Sequence, residues 1–176
     1  MRITISGPPG SGKTTVCSIL SEKLELGSIV FGKMFRELAK EKGLTLSELG
    51  EMAENDPSID MSIDEHILDI AREKDNIILE SRLSAYMLHR NGIPALKVYL
   101  DATPETRIER ISMRDGESPE EAYKNTMERH ASEAKRYMKY YGINADDKSV
   151  YDLVIDTDNR TPDEIADLII KEMNKC

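Results

Sequence analysis

The segment Gly7-Pro8-Pro9-Gly10-Ser11-Gly12-Lys13-Thr14 fits the pattern G-x-x-x-x-G-K-[ST], and each fixed residue has a chemical reason to be there. Glycines let successive backbone N–H groups wrap a phosphate without Cβ clashes, and Lys13 brings positive charge to the β- and γ-phosphates. The Thr14 hydroxyl suits Mg2+. Together with Thr15, the run is expected to hold the triphosphate of a nucleotide donor. Glu80 closes another strand-like run, Ile77-Ile78-Leu79, where a carboxylate beside the loop can share the Mg2+ through water.

A loop of this kind specifies a donor; the acceptor has to be read from the arginines. Arg36 lies one turn past Gly32, and Arg82 lies just past Glu80. Both positions fall at the C-terminal edge of a parallel sheet, where two guanidinium forks suit a second phosphate. Further on, Arg107, Arg110 and Arg114 occupy i, i+3 and i+7, and Arg129, Glu133 and Arg136 occupy i, i+4 and i+7, so each set shares one helix face. A solvated charged stripe explains this spacing. So does a lid whose arginines close over the transferring phosphoryl group and neutralise charge spreading over its oxygens. Loose phosphoryl transfer asks for positioning and electrostatics, so no catalytic base is assigned.

These residues need a scaffold, and the pattern supplies one. Strands are expected at Arg2 to Ser6, Ser28 to Phe31, Asn76 to Glu80, Leu96 to Leu100 and Leu153 to Asp156, separated mostly by helical patterns. That alternation implies an α/β fold, a five-stranded parallel sheet with helices on both faces. Val16, Ile19, Leu20 and Leu24 recur at helical spacing after the loop. Thr103-Pro104, Ser118-Pro119 with Glu121, and Thr161-Pro162 with Glu164 read as helix starts. Residues 32–75 are too long for a simple crossover and carry three helical patterns, so they read as a helical insert over the ligand edge. Residues 113–128 read as a short lid, leaving 1–31, 76–112 and 129–176 as the core.

Composition narrows the function classes. A chain of 176 residues with 39% apolar content can bury one good core. A formal charge of −9 argues against nonspecific nucleic-acid or membrane-surface binding, which need cationic faces. Cys17 and Cys176 cannot build a disulfide framework or a metal site, and no apolar run approaches the roughly 20 residues of a membrane span. A cytoplasmic monomer is expected. His66, His89 and His130 share no ligand-like spacing, and Tyr137, Tyr140 and Tyr141 read as packing.

Several segments taken in order resemble the archaeal-type cytidylate kinases. They are Gly7 to Thr15, Gly32-Lys33-Met34-Phe35-Arg36-Glu37-Leu38-Ala39, Leu79-Glu80-Ser81-Arg82-Leu83, Arg129-x-x-x-Glu133-x-x-Arg136-Tyr137, Tyr141-Gly142-Ile143 and Tyr151 to Thr157. The resemblance spans essentially the whole chain. It implies a P-loop kinase core with a nucleoside-monophosphate-binding insert and a lid, and phosphoryl transfer from ATP with Mg2+ to CMP or dCMP. By the same resemblance Arg36, Arg82 and Arg136 hold the CMP phosphate, Glu133 stands near the sugar, and Arg110 and Arg114 reach the ATP phosphates from the lid side. Two positions depart from the pattern: Ser81 stands where relatives usually have Gly, and Phe31 where bacterial relatives have a hydroxyl residue. Cytosine's exocyclic amine needs buried acceptors, and Asp60 and Asp64, four apart on one helix side, are candidates. Kinases for AMP, UMP or shikimate share the architecture and remain alternatives. A GTPase-like switch lacks its N-K-x-D segment, since Asn174-Lys175 is followed only by Cys176.

Overall fold

A computed structural model describes residues 1–175; Cys176 lies outside the described residues. The chain alternates strands and helices: β1 (Arg2–Ser6), α1 (Lys13–Leu24), β2 (Gly27–Val30), α2 (Phe31–Glu41), α3 (Leu46–Asn55), α4 (Pro57–Glu73), β3 (Ile77–Glu80) and α5 (Ser84–Arg90). It continues through β4 (Leu96–Asp101), α6 (Pro104–Asp115), α7 (Pro119–Tyr141), β5 (Leu153–Asp156) and α8 (Pro162–Met173). All pairings are parallel, in the order β2-β3-β1-β4-β5, with Ile3 opposite Ile78 on one side and Leu96 on the other. β1 therefore lies at the centre, and the loop leaving its end emerges in the crevice where ligands bind in open α/β sheets.

Alternation along the strands divides the core. Ile3, Ile5, Ile78, Val98 and Leu100 point to one face and meet Val16, Leu20, Ile165 and Ile169 of α1 and α8. Ile77 and Leu79 point to the other and meet Ile67 and Ile70 of α4, Leu88 of α5 and Tyr137 of α7. This is the expected three-layer arrangement. A third, smaller cluster of Ala39, Leu49, Ala53 and Ile59 joins α2, α3 and α4, so the segment between β2 and β3 has a core of its own.

The capping signals mark real boundaries. Ser118 and Thr161 each make a reciprocal capping box with Glu121 and Glu164, and Thr103 caps α6, all three with proline at the first turn. One expectation changes. Phe31 does not end a strand: β2 stops at Val30, and Phe31 opens α2 with its ring buried and edge-on to His66 at 6.5 Å. Residues 113–128 comprise the end of α6, the turn Gly116-Glu117-Ser118 with Gly116 at φ 68°, and the first turns of α7.

Leu20 is fully buried at the centre of the α1 side of the core. Leu20→Ala should lower the unfolding free energy by about 2–5 kcal/mol, read as a fall in urea midpoint with an unchanged slope.

Candidate active site

The loop after β1 is pressed between two backbones. Gly7 has φ 149°, and a Cβ there would lie 2.2 Å from the Leu100 carbonyl oxygen of β4. Gly10 has φ 80°, and a Cβ there would lie 2.6 Å from the Arg107 carbonyl oxygen of α6. Only glycine permits both approaches. Gly12 then starts α1 in the left-handed region with no side-chain cap, whereas Thr45, Asp56, Thr103, Ser118 and Thr161 cap α3, α4, α6, α7 and α8. An uncapped helix N-terminus behind a glycine-rich loop directs N–H groups and the positive dipole end at an anion.

Lys13 folds back over this loop, and its Nζ donates to the Pro8 carbonyl at 2.9 Å. Burial lowers its pKa to about 8; Arg82 adds to the fall, and Glu80 and Glu133 oppose it. Thr14 Oγ1 donates to Glu80 Oε1 at 3.3 Å. The other Glu80 oxygen is buried without any hydrogen-bond partner. A buried carboxylate oxygen without a donor is unfavourable unless a cation satisfies it. The pair fits Mg2+, a hard ion that takes oxygen ligands and completes its shell with phosphate and water. Among the described residues no group of three His, Cys, Asp or Glu forms a self-sufficient metal site.

The arginines separate into three tasks. Arg82, on the turn after β3, donates from Nε to Glu133 Oε2 of α7 at 2.9 Å, with side chains 13% and 12% exposed. Burial pulls the Glu133 pKa up, but Arg82, Arg129 and Arg136 outweigh it and hold the carboxyl below its usual range. Arg136 is fixed more fully. Its Nε and Nη2 donate to the two Asp60 oxygens at 2.7 and 3.4 Å, its Nη1 donates to Ser132 Oγ at 2.7 Å, and its plane lies near the rings of Phe35 and Tyr137. Arg36 bends back over Gly32, and burial, with Arg129 and Arg114 nearby, disfavours its charge, while Glu80 and Asp115 offset part of that. Arg36, Arg129 and Arg114 thus bring like charges together next to Glu80, an arrangement an anion could relieve.

Other expected residues stand elsewhere. Arg110 braces the loop, donating to the Gly10 carbonyl and to both Oγ1 and the carbonyl of Thr157. Arg114 is largely exposed and forms a bidentate pair with the adjacent Asp115. Asp60 and Asp64 are buried rather than solvated, Asp60 against Arg136 and Asp64 accepting from the Tyr141 hydroxyl at 2.7 Å. Burial raises the Asp64 pKa to about 7, against the pull of that hydrogen bond. The glycine-to-serine departure at position 81 is accommodated without positive φ: Ser81 Oγ accepts from Leu83 N–H, and its carbonyl accepts from Ser6 Oγ.

Two contributors take no role of their own from the sequence. Thr157, buried after β5, binds Arg110, the Ser11 carbonyl and the Asp101 carbonyl, tying the loop to the far strands. Arg129 lines a cavity of about 440 Å3 with Phe35, Ser132, Glu133 and Arg136. Its stripe with Glu133 and Arg136 is the only hint of that place.

Comparison with known proteins gives the family. A family model described as the cytidylate kinase-like family matches residues 2–159. The chain belongs to that family. A relative from Sulfurisphaera tokodaii named cytidylate kinase is 47% identical over 99% of this chain and 96% of its own. Cytidylate kinases from Methanococcoides burtonii and Methanosphaerula palustris are 46% and 50% identical, over 99% and 90% of this chain and 97% and 89% of theirs. Among solved structures, an uncharacterized protein from Eubacterium ventriosum superposes with TM-score 0.73 at 18% identity, covering 100% of this chain and 99% of that one. A shikimate kinase from Aquifex aeolicus superposes with TM-score 0.60 at 23% identity, covering 99% and 97%. These last two show the fold alone.

Glu133→Gln should leave Arg82 buried without its counter-charge and lower stability at pH 7 by about 3–5 kcal/mol. Glu133 has a depressed pKa, so its contribution is present above the unfolded value and lost as pH falls through the folded one. The gap between variant and wild type in urea unfolding should therefore narrow below about pH 4.

Proposed function

We propose that this chain transfers the γ-phosphoryl group of ATP to CMP, and to dCMP, giving the diphosphate and ADP. The observation that carries the reading is the meeting of two cationic groups at one sheet edge. Lys13 and the uncapped α1 suit one phosphate, while Arg82, Arg129 and Arg136 gather around Glu133, with Arg36 of α2 next to Arg129, and suit another. Lys13 feels the charges of both Arg82 and Glu133, so donor and acceptor sides are electrostatic neighbours. Family membership and the names of the relatives support CMP as the acceptor.

In this reading the loop from Gly7 to Thr15 holds the ATP phosphates, and Thr14 with Glu80 holds Mg2+. When bound, Mg2+ neutralises charge on the donor phosphates. Arg36, Arg82 and Arg136 fix the CMP phosphate, and Glu133, already carrying Arg82, lies toward the sugar. Asp60, with both oxygens taken up by Arg136, acts through that arginine rather than on the cytosine amine, and Asp64 remains the candidate acceptor for the amine. A CMP phosphate oxygen attacks the γ-phosphorus as the bond to the ADP oxygen breaks. The attacking group is already an anion, so no base is needed. Lys13 and the arginines stabilise charge on the transferring group, with Arg110 keeping the loop in place and Arg114 supplied from the end of α6. The insert 32–75 and the segment 113–128 close over the edge to exclude water. No helix of the described residues is long and apolar enough to cross a membrane, and a cytoplasmic monomer suits the reading.

With ATP and Mg2+, CMP should be phosphorylated far faster than AMP, UMP or shikimate in a coupled assay for ADP; comparable AMP rates would overturn the assignment. Arg82→Lys keeps the charge but loses the fork, and should raise the KM for CMP about 10–100-fold, the loss of one charge-assisted hydrogen bond. The KM for ATP should stay within about twofold if Arg82 belongs to the acceptor side.

A further inference from the structure

Gly50 occupies the middle of α3, where glycine weakens a helix relative to alanine, and its φ is not positive. No backbone requirement explains it. Space does: a Cβ there would lie 3.1 Å from Ser132 Oγ and 3.4 Å from Arg136 Nη1. Ser132 is the residue that accepts from Arg136 Nη1 at 2.7 Å. One turn along α3 from Gly50, Glu54 is paired with Lys135, and a second hydrogen bond from Ser132 helps to keep its pKa low. Lys139 Nζ donates to the Glu54 carbonyl at 2.9 Å, and Tyr140 Oη donates to the Ala53 carbonyl. The absent side chain thus lies at the centre of a polar contact between α3 and α7.

We propose that Gly50 and Ser132 are positioning residues for Arg136. The inference rests on Arg136 holding the acceptor phosphate. A guanidinium has five N–H groups, and three are engaged by Asp60 and Ser132, leaving one on each terminal nitrogen. The Asp60 contacts occupy one edge of the fork. Ser132 secures the opposite terminal nitrogen, so the guanidinium is held on both sides beside the cavity that Arg136 lines, with two N–H groups left for a ligand. Gly50 lets α3 come close enough to hold Ser132 in that place. A methyl group would press on Ser132 Oγ, the acceptor of the 2.7 Å bond, while only touching its donor Nη1.

The test is steady-state kinetics of Gly50→Ala, Ser132→Ala, the double variant and Arg136→Lys, varying CMP and ATP separately, with a thermal melt of each. Gly50→Ala should raise the KM for CMP about 5–20-fold, with the KM for ATP within about twofold and no loss of melting temperature, since alanine favours the helix. Ser132→Ala should do the same. In the Ser132→Ala background, adding Gly50→Ala should cost less than about twofold more, because the crowded oxygen is gone. If Gly50→Ala fails to fold, Ser132→Ala decides: an unchanged KM for CMP overturns the proposal. If Arg136→Lys raises the KM for CMP but Gly50→Ala and Ser132→Ala do not, the positioning role is wrong while Arg136 keeps its place. If Arg136→Lys leaves the KM for CMP unchanged, the acceptor reading of Arg136 falls and the proposal with it.

Discussion

Helix α7 is fastened to the rest of the protein by carboxylate–guanidinium pairs held away from water. Arg82 reaches it from the turn after β3, and Asp60 reaches it from α4, so sheet, insert and α7 meet through two ion pairs. Such pairs add little stability over a well-packed apolar contact, because desolvation offsets most of the attraction; breaking one is another matter, since a single buried charge remains. What they supply here is placement. A guanidinium already paired along one edge has few rotamers left, and its unused N–H groups have fixed directions. The same pairs moderate charge: Glu133 and Asp60 each compensate one arginine on a chain with net charge −9.

The sheet gives these groups their common edge. β1, β3 and β2 end near one another, delivering the loop, then Glu80 and Arg82, then α2 with Arg36. On the other side β4 and β5 deliver Asp101, whose carbonyl accepts from Thr157, and Thr157, whose hydroxyl reaches the Ser11 carbonyl of the loop. The loop is therefore held by side chains that donate to its carbonyls, and the Arg82 and Arg136 side by pairs between side chains. Rearranging α2, α3 and α4 can thus alter the acceptor side while the loop stays braced.

The sequence makes the donor side legible because local chemistry determines it. Glycines at 7 and 10, a lysine and a hydroxyl at fixed spacing, and threonine or serine before proline at helix starts all act over a few residues. Phe31 escapes such reasoning because an aromatic after Ile29-Val30 extends a strand pattern; burial against His66 and the rest of the helical side overrides that propensity. The pairing of Asp60 with Arg136 spans 76 positions, and no local rule predicts it. Arg110 shares a stripe with Arg107 and Arg114, yet its direction is set by Thr157 beyond another strand. Gly50 is visible as a lone glycine in a helical pattern, but its reason lies on α7.

The uncapped start of α1 has a thermodynamic side as well. Lys13 held below its normal pKa and open helix N–H groups are unfavourable features that a bound phosphate relieves, and the unpartnered Glu80 oxygen is one that an accompanying cation relieves. Ligand that binds only the folded chain adds about 2.7 kcal/mol at a hundred times its dissociation constant, a large share of a typical domain's total stability. The folded fraction of this protein, and with it its resistance to proteolysis, is accordingly coupled to the nucleotide pool it draws on.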